Sequence, residues 1–171
     1  MHARVTQTHF DYVEYKALFY EDENIALLNA IAPVFFATVQ RALVTSIFAN
    51  IRALTDPAKS RGEENLSFRG LSARLLVSGH PWADIVASAV EDYASSANPV
   101  CMAVNKKIAH FDVAHAIGAQ SGESFGIHAD DVEKLIDAAA ALLDLANWGL
   151  TIRPKDSQPG GAAELIRRLG V

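Results

Sequence analysis

The sequence predicts an all-α fold, an antiparallel bundle of about five to six helices, on three observations. Apolar residues recur at steps of three and four from Leu28 to Leu54, from Trp82 to Tyr93 and from Val132 to Ala146, the spacing of one buried helix face. No stretch alternates with period two for long enough to read as a strand. Acidic residues or proline stand where those runs begin, and Pro or Gly where they end. With 171 residues, 50% of them hydrophobic and 20% charged, the chain suits a single compact domain with its own core. Residues 1–153 read as that helical domain, and 154–171 as a linker, PKDSQPGG, leading to a short C-terminal helix.

The first helix is expected from a capping box at Thr8 with Asp11 three residues on, running to Tyr20. Leu28, Ile31, Phe35, Val39, Leu43, Ile47, Ile51 and Leu54 then read as one long helix from Glu23, kinked at Pro33 and on the order of 45 Å long. That is more apolar length than one small core needs, so part of it is expected at an interface. Asp56-Pro57 stops it, because a residue before proline is pushed out of the helical region, and a polar loop, AKSRGEEN, follows. A short helix spans Ser67 to Leu76, ending near Gly79, and Pro81 is expected at the first position of the next. In that helix Trp82, Ile85, Val86, Ala89, Val90 and Tyr93 form the apolar stripe, and Asn98-Pro99 interrupts it. Asp130 with Glu133 reads as a second capping box opening the helix of Val132 to Ala146, which Gly149 can end.

A net charge of −5 argues against a protein that coats nucleic acid, so any RNA contact is local. One cysteine, Cys101, allows no internal disulfide and suits the cytoplasm, where it reads as a small buried hydrophobe. The N-terminus lacks the apolar run of a signal peptide, and IALLNAIAPVFFATV is too short to cross a bilayer, so no membrane association is expected. There is no P-loop, G-x-G-x-x-G, C-x-x-C or H-E-x-x-H motif, and no metal or cofactor is expected. His110 and His115, five residues apart, lie about 140° apart on a helix and suit joint ligation poorly.

What chemistry remains is concentrated in VNKKIAHFD, residues 104–112. Lys106 and His110 are four apart and share a face, while Val104, Ile108 and Phe111 turn toward a core. The bland readings are a histidine resting on a helix end, a solvated Lys106-Lys107 face and a local polar cap at Asn105. Arg52 and Asp56, also four apart, read as an intrahelical ion pair or as a second cation beside the site. Trp82, Trp148 and Phe35-Phe36 read as core or interface anchors.

Two stretches resemble the HEPN domains, and among them the abortive-infection AbiU-like branch. LLNAIAPVFFATVQRALVTSIFANIRALTDPAKSRGEENLSF, residues 27–68, is similar to the family's long helix ending in Arg-x-x-x-Asp-Pro with an Asn-Leu-Ser restart. NKKIAHFD, residues 105–112, is similar to its Arg-Asn-Lys-x-x-Ala-His-x-Asp signature, except that Val104 stands where the family has arginine. The resemblance implies a homodimer in which paired histidines meet in a cleft and cut RNA without metal. It gives His110 the acid/base role and Asn105 the orienting role, with Lys106, Lys107 and Arg52 as phosphate contacts and Asp112 and Asp56 as support. The physical logic is that histidine moves the 2′-hydroxyl proton near neutral pH while a cation stabilises the charged transition state. It further implies a defence or toxin–antitoxin setting with an antitoxin protein as partner. The alternative is a catalytically inactive HEPN-type module that dimerises or binds a partner.

Overall fold

The structure, a computed structural model, describes residues 1–105, 127–146 and 153–170. Among these, eight helices and one minimal hairpin are formed, so the all-α reading holds. The helices are α1 (His2–Phe19), α2 (Asp22–Ile31), α3 (Pro33–Leu54), α4 (Phe68–Val77), α5 (Ala83–Ser96), α6 (Asn98–Ala103), α7 (Ala129–Leu145) and α8 (Ala162–Leu169).

Helix α1 starts six residues earlier than Thr8. The Thr8 hydroxyl donates back to the Arg4 carbonyl at 2.8 Å, a bond available only inside a helix, so Thr8 is no cap. The long helix expected from Glu23 is two helices, not one with a kink. Pro33 forces Ala32 out of helical geometry, to φ −155° and ψ 70°, and itself opens α3. Asp22 and Glu23 in the first turn of α2 face the positive end of its dipole. The polar loop after α3 closes into a two-residue hairpin, β1 (Lys59–Ser60) against β2 (Glu63–Glu64). Arg61 and Gly62 both take positive φ at its turn, as a tight antiparallel hairpin requires.

Ser67 caps α4 by accepting from the Gly70 amide at 3.2 Å. Gly70 is needed there, since a Cβ would lie 2.5 Å from the Asn65 carbonyl oxygen. Helix α5 begins at Ala83, so Pro81 precedes it rather than opening it; the His80 ring instead accepts from the Trp82 amide at 3.3 Å. Its buried face is Ala83, Val86, Val90 and Tyr93, while Trp82 and Ile85 are exposed, correcting the expected stripe by part of a turn. The Asp130–Glu133 box does not form: His128 precedes α7, and Glu133 is held by α1 through the Tyr12 hydroxyl at 3.1 Å and the Lys16 ammonium at 3.0 Å.

Two apolar clusters hold the bundle. The larger joins α1, the C-terminal half of α3, α4, α5, α6 and α7, with Phe68, Ile51, Val86, Val100, Ile136 and Leu143 all but sealed from solvent. The smaller gathers Leu18, Leu28, Phe36, Ala162 and Ile166, where α8 packs on α1. Helix α8 is anchored through Glu14 of α1, which accepts from the Ser157 hydroxyl and from the Gln158 and Ala162 amides, the last at the N-terminus of α8.

Candidate functional site

Helix α3 ends in Arg52-Ala-Leu-Thr-Asp-Pro, and this turn is tied to the helix that leads into NKKIAHFD. The Arg52 guanidinium bonds the Asp56 carboxylate, with about a third of each side chain exposed. At that exposure the pair contributes only about 0.3–0.5 kcal/mol. Between them Thr55 is buried, and its hydroxyl donates to the Arg52 carbonyl at 2.7 Å. The same oxygen lies 3.3 Å from the Cys101 sulfur on α6. Arg69 of α4 donates to the Thr55 carbonyl at 3.4 Å and grips Glu91 of α5 with two bonds of 3.2 and 3.1 Å. Those bonds hold the Glu91 carboxyl below its ordinary pKa. Thr55 and Arg69 thus join four helices at one corner.

From this corner α6 runs one turn on to Asn105. Val100 and Ala103 are buried, and Val104 and Asn105 continue the helix in the wider π geometry that recurs at functional sites. Val104 is 8% exposed and belongs to the larger core cluster, whereas Asn105 is exposed. Position 104 therefore faces apolar side chains. Its polar neighbour faces solvent.

Of the residues singled out in the sequence, Arg52 and Asp56 meet each other, and Asn105 sits one turn beyond the Cys101 that touches Thr55. Lys106, Lys107, His110 and Asp112 lie outside the described residues, as do Trp148 and Gly149. Phe36 is a core residue and Phe35 is 61% exposed. Sequence reasoning passed over Thr55, Arg69 and Glu91. The one signal was for Thr55, the Thr-Asp-Pro step, since a hydroxyl just before a helix stop often bonds back into the last turn. Among the described residues no three His, Cys, Asp or Glu side chains converge on a metal position.

No curated protein and no solved structure matches the chain. A family model does: HEPN_AbiU2, described as AbiU2, matches residues 3–162, which takes in every helix from α1 through α7. The chain belongs to the HEPN_AbiU2 family and is an abortive-infection HEPN-type protein.

Proposed function

We propose that the protein acts as a homodimer in a microbial defence or toxin–antitoxin system and cuts RNA in the cytoplasm without metal. His110 removes the proton of a ribose 2′-hydroxyl. The freed oxygen attacks the adjacent phosphorus, the bond to the 5′-oxygen breaks, and that oxygen leaves with a proton, giving 2′,3′-cyclic phosphate and 5′-hydroxyl ends. Asn105 orients the phosphate or the imidazole. Lys106, Lys107 and Arg52 supply positive charge, and Asp112 and Asp56 steady the helix ends. The observation that carries this reading is the exposure of Asn105 at the head of NKKIAHFD, on a helix whose base is tied to the Arg52–Asp56 turn.

The dimer is read from α3. Val34 is 80% exposed and Phe35 61%, and the helix buries only Phe36, Ile47, Ile51 and Leu54 of its 22 residues. By length and composition α3 could cross a bilayer. The exposed Arg41 near its middle makes lipid a costly neighbour, and a second protein surface suits it better.

Val104 favours a second reading, a catalytically silent module that dimerises or holds an antitoxin protein, because its side chain fills core rather than a cleft. The deciding experiment incubates the purified protein with RNA in EDTA, beside His110→Ala. Cleavage that survives EDTA, leaves cyclic phosphate ends and falls about 10²–10⁴-fold in the variant supports the nuclease. Cleavage that needs metal, or that persists in His110→Ala, overturns the role of His110. Absence of cleavage by a well-folded dimer supports the silent module.

A further inference from the structure

A cleft of about 770 Å³ opens between α1, α7 and the segment 153–155, away from the α3–α6 corner, and its size is that of a small-molecule site. His9 and Lys16 line it from α1, Glu133 and Asp137 from α7, and Arg153 and Lys155 from the segment. Three of these charges are already engaged inside the protein: Lys16 and Glu133 with each other at 3.0 Å, and Arg153 with Asp144. Asp137 and Lys155 have no ion pair or hydrogen bond with any described residue. His9 is 6% exposed, and its Nε2 finds no partner although the ring lines the cleft. Buried polar groups are nearly always satisfied, so the unpartnered imidazole marks unmet polar demand in a cleft also lined by the exposed Asp137 carboxylate and Lys155 ammonium.

Burial is the main influence on the imidazole and lowers its pKa. Asp137 and Glu133 oppose that, and Arg153 adds to it. At neutral pH the ring is therefore uncharged, a hydrogen-bonding group rather than a third cation. The charged walls then select the ligand. A simple anion would meet Lys155 and Arg153 but also sit against Glu133 and Asp137, and a simple cation would meet the reverse. A ligand with both charges satisfies both walls in one orientation. We propose that this cleft binds a zwitterionic small molecule of the free α-amino-acid class, its ammonium on Asp137, its carboxylate on Lys155, and its side chain against Val13, Ile136 and Ala141. This site is independent of the RNA reading.

The test uses the full chain and reads binding directly. The twenty L-amino acids are screened at millimolar concentration by thermal shift, and the strongest is titrated by calorimetry. Its N-acetyl and carboxamide derivatives, which lack the ammonium and the carboxylate, follow, with inorganic phosphate as the plain anion. The expected result is a raised melting temperature with the free amino acid, and binding weaker by about tenfold or more for each derivative and for Asp137→Asn or Lys155→Gln. Both substitutions lie on exposed side chains, so circular dichroism should show the fold intact. No binding by any amino acid overturns the proposal. So does equal binding of a blocked derivative, and so does phosphate binding that Asp137→Asn leaves unchanged or improves, which would make the cleft an anion site.

Discussion

Helices α3 and α7 are both long, both rich in apolar residues, and read alike in the sequence, yet the fold treats them differently. Of the 17 residues of α7, Val132, Leu135, Ile136, Ala139, Ala140, Leu142 and Leu143 are buried, so its apolar face is matched by the bundle. Helix α3 has 22 residues and buries four, with Val34 and Phe35 left outside. The difference comes from neighbours. Helix α7 lies between α1 and α5, whereas among the described residues the first half of α3 packs in the smaller cluster, with the end of α1, α2 and α8. Apolarity in α7 therefore stabilises the monomer, and much of that in α3 is available for association.

The largest effects should fall on opposite observables in the two helices. Leu143→Ala opens a cavity at a fully buried position and should cost about 3–5 kcal/mol in a urea titration. Phe35→Glu should leave the monomer's unfolding nearly unchanged but weaken the proposed dimer by roughly 100-fold or more, as loss of an interface anchor does. Light scattering across a concentration series reads the second. A protein that is monomeric at micromolar concentration before any substitution would remove the dimer, and with it the composite cleft.

Next in size is Val104→Arg, which puts an arginine at a core position beside the proposed site. Because the site is 8% exposed and packed among apolar side chains, the guanidinium should cost on the order of 3 kcal/mol in stability. If RNA cleavage also rises, the π turn has let the side chain swing outward. A stable variant with no gain of activity would show that an arginine at position 104 is not what the proposed chemistry lacks.

A smaller effect is expected where α8 docks on α1. Glu14→Ala removes the acceptor for the Ala162 and Gln158 amides and should loosen α8 by about 1–2 kcal/mol. Amide exchange should speed up in residues 162–169 while α7 stays protected. Gly161→Ala tests the same clasp from the other side, since its Cβ would fall 2.5 Å from the Glu14 carboxylate and 2.6 Å from the Ser157 hydroxyl.

The fold was legible wherever one helix face alone decides burial. The period of α7, the Ser67 start of α4 and the Asp56-Pro57 stop all follow from local rules. Local rules failed where two answers are locally equal and a partner helix chooses between them. Thr8 could cap or bond back. Glu133 could cap its own helix or reach Tyr12 and Lys16, and α1 drew it across. Trp82 and Ile85 fit a helical stripe, but α4 and α7 take the face of Val86 and Val90. In the candidate site the Arg52–Asp56 pair was readable from spacing. The inward turn of Val104 was readable too, since it shares a helical face with Val100 at a step of four, while Asn105 falls on the exposed side. His9 falls on the buried face of α1 with Val5 and Tyr12, and only the structure shows its Nε2 unpartnered among charges from α7 and segment 153–155.

That histidine gives the smallest effect and the sharpest check on the α1–α7 seam. Its pKa in the folded state lies below the ordinary 6.5, chiefly because burial disfavours the imidazolium, with Asp137 and Glu133 raising it in part and Arg153 lowering it. As pH falls through 6.5 the unfolded chain takes up a proton that the folded chain still refuses. Stability then drops until the folded pKa is passed, and is level on either side of that window. Above pH 6.5 the ring is neutral in both states and adds no pH dependence. His9→Gln keeps a polar side chain of similar size without the titration, so it should flatten the stability profile below pH 6.5 while changing it little at pH 8. Chemical denaturation at both pH values, on the protein and the variant, reads the difference. Should the two profiles run parallel from pH 8 down to pH 5, His9 is not held neutral in the folded protein, and the seam between α1 and α7 is wetter than its burial indicates.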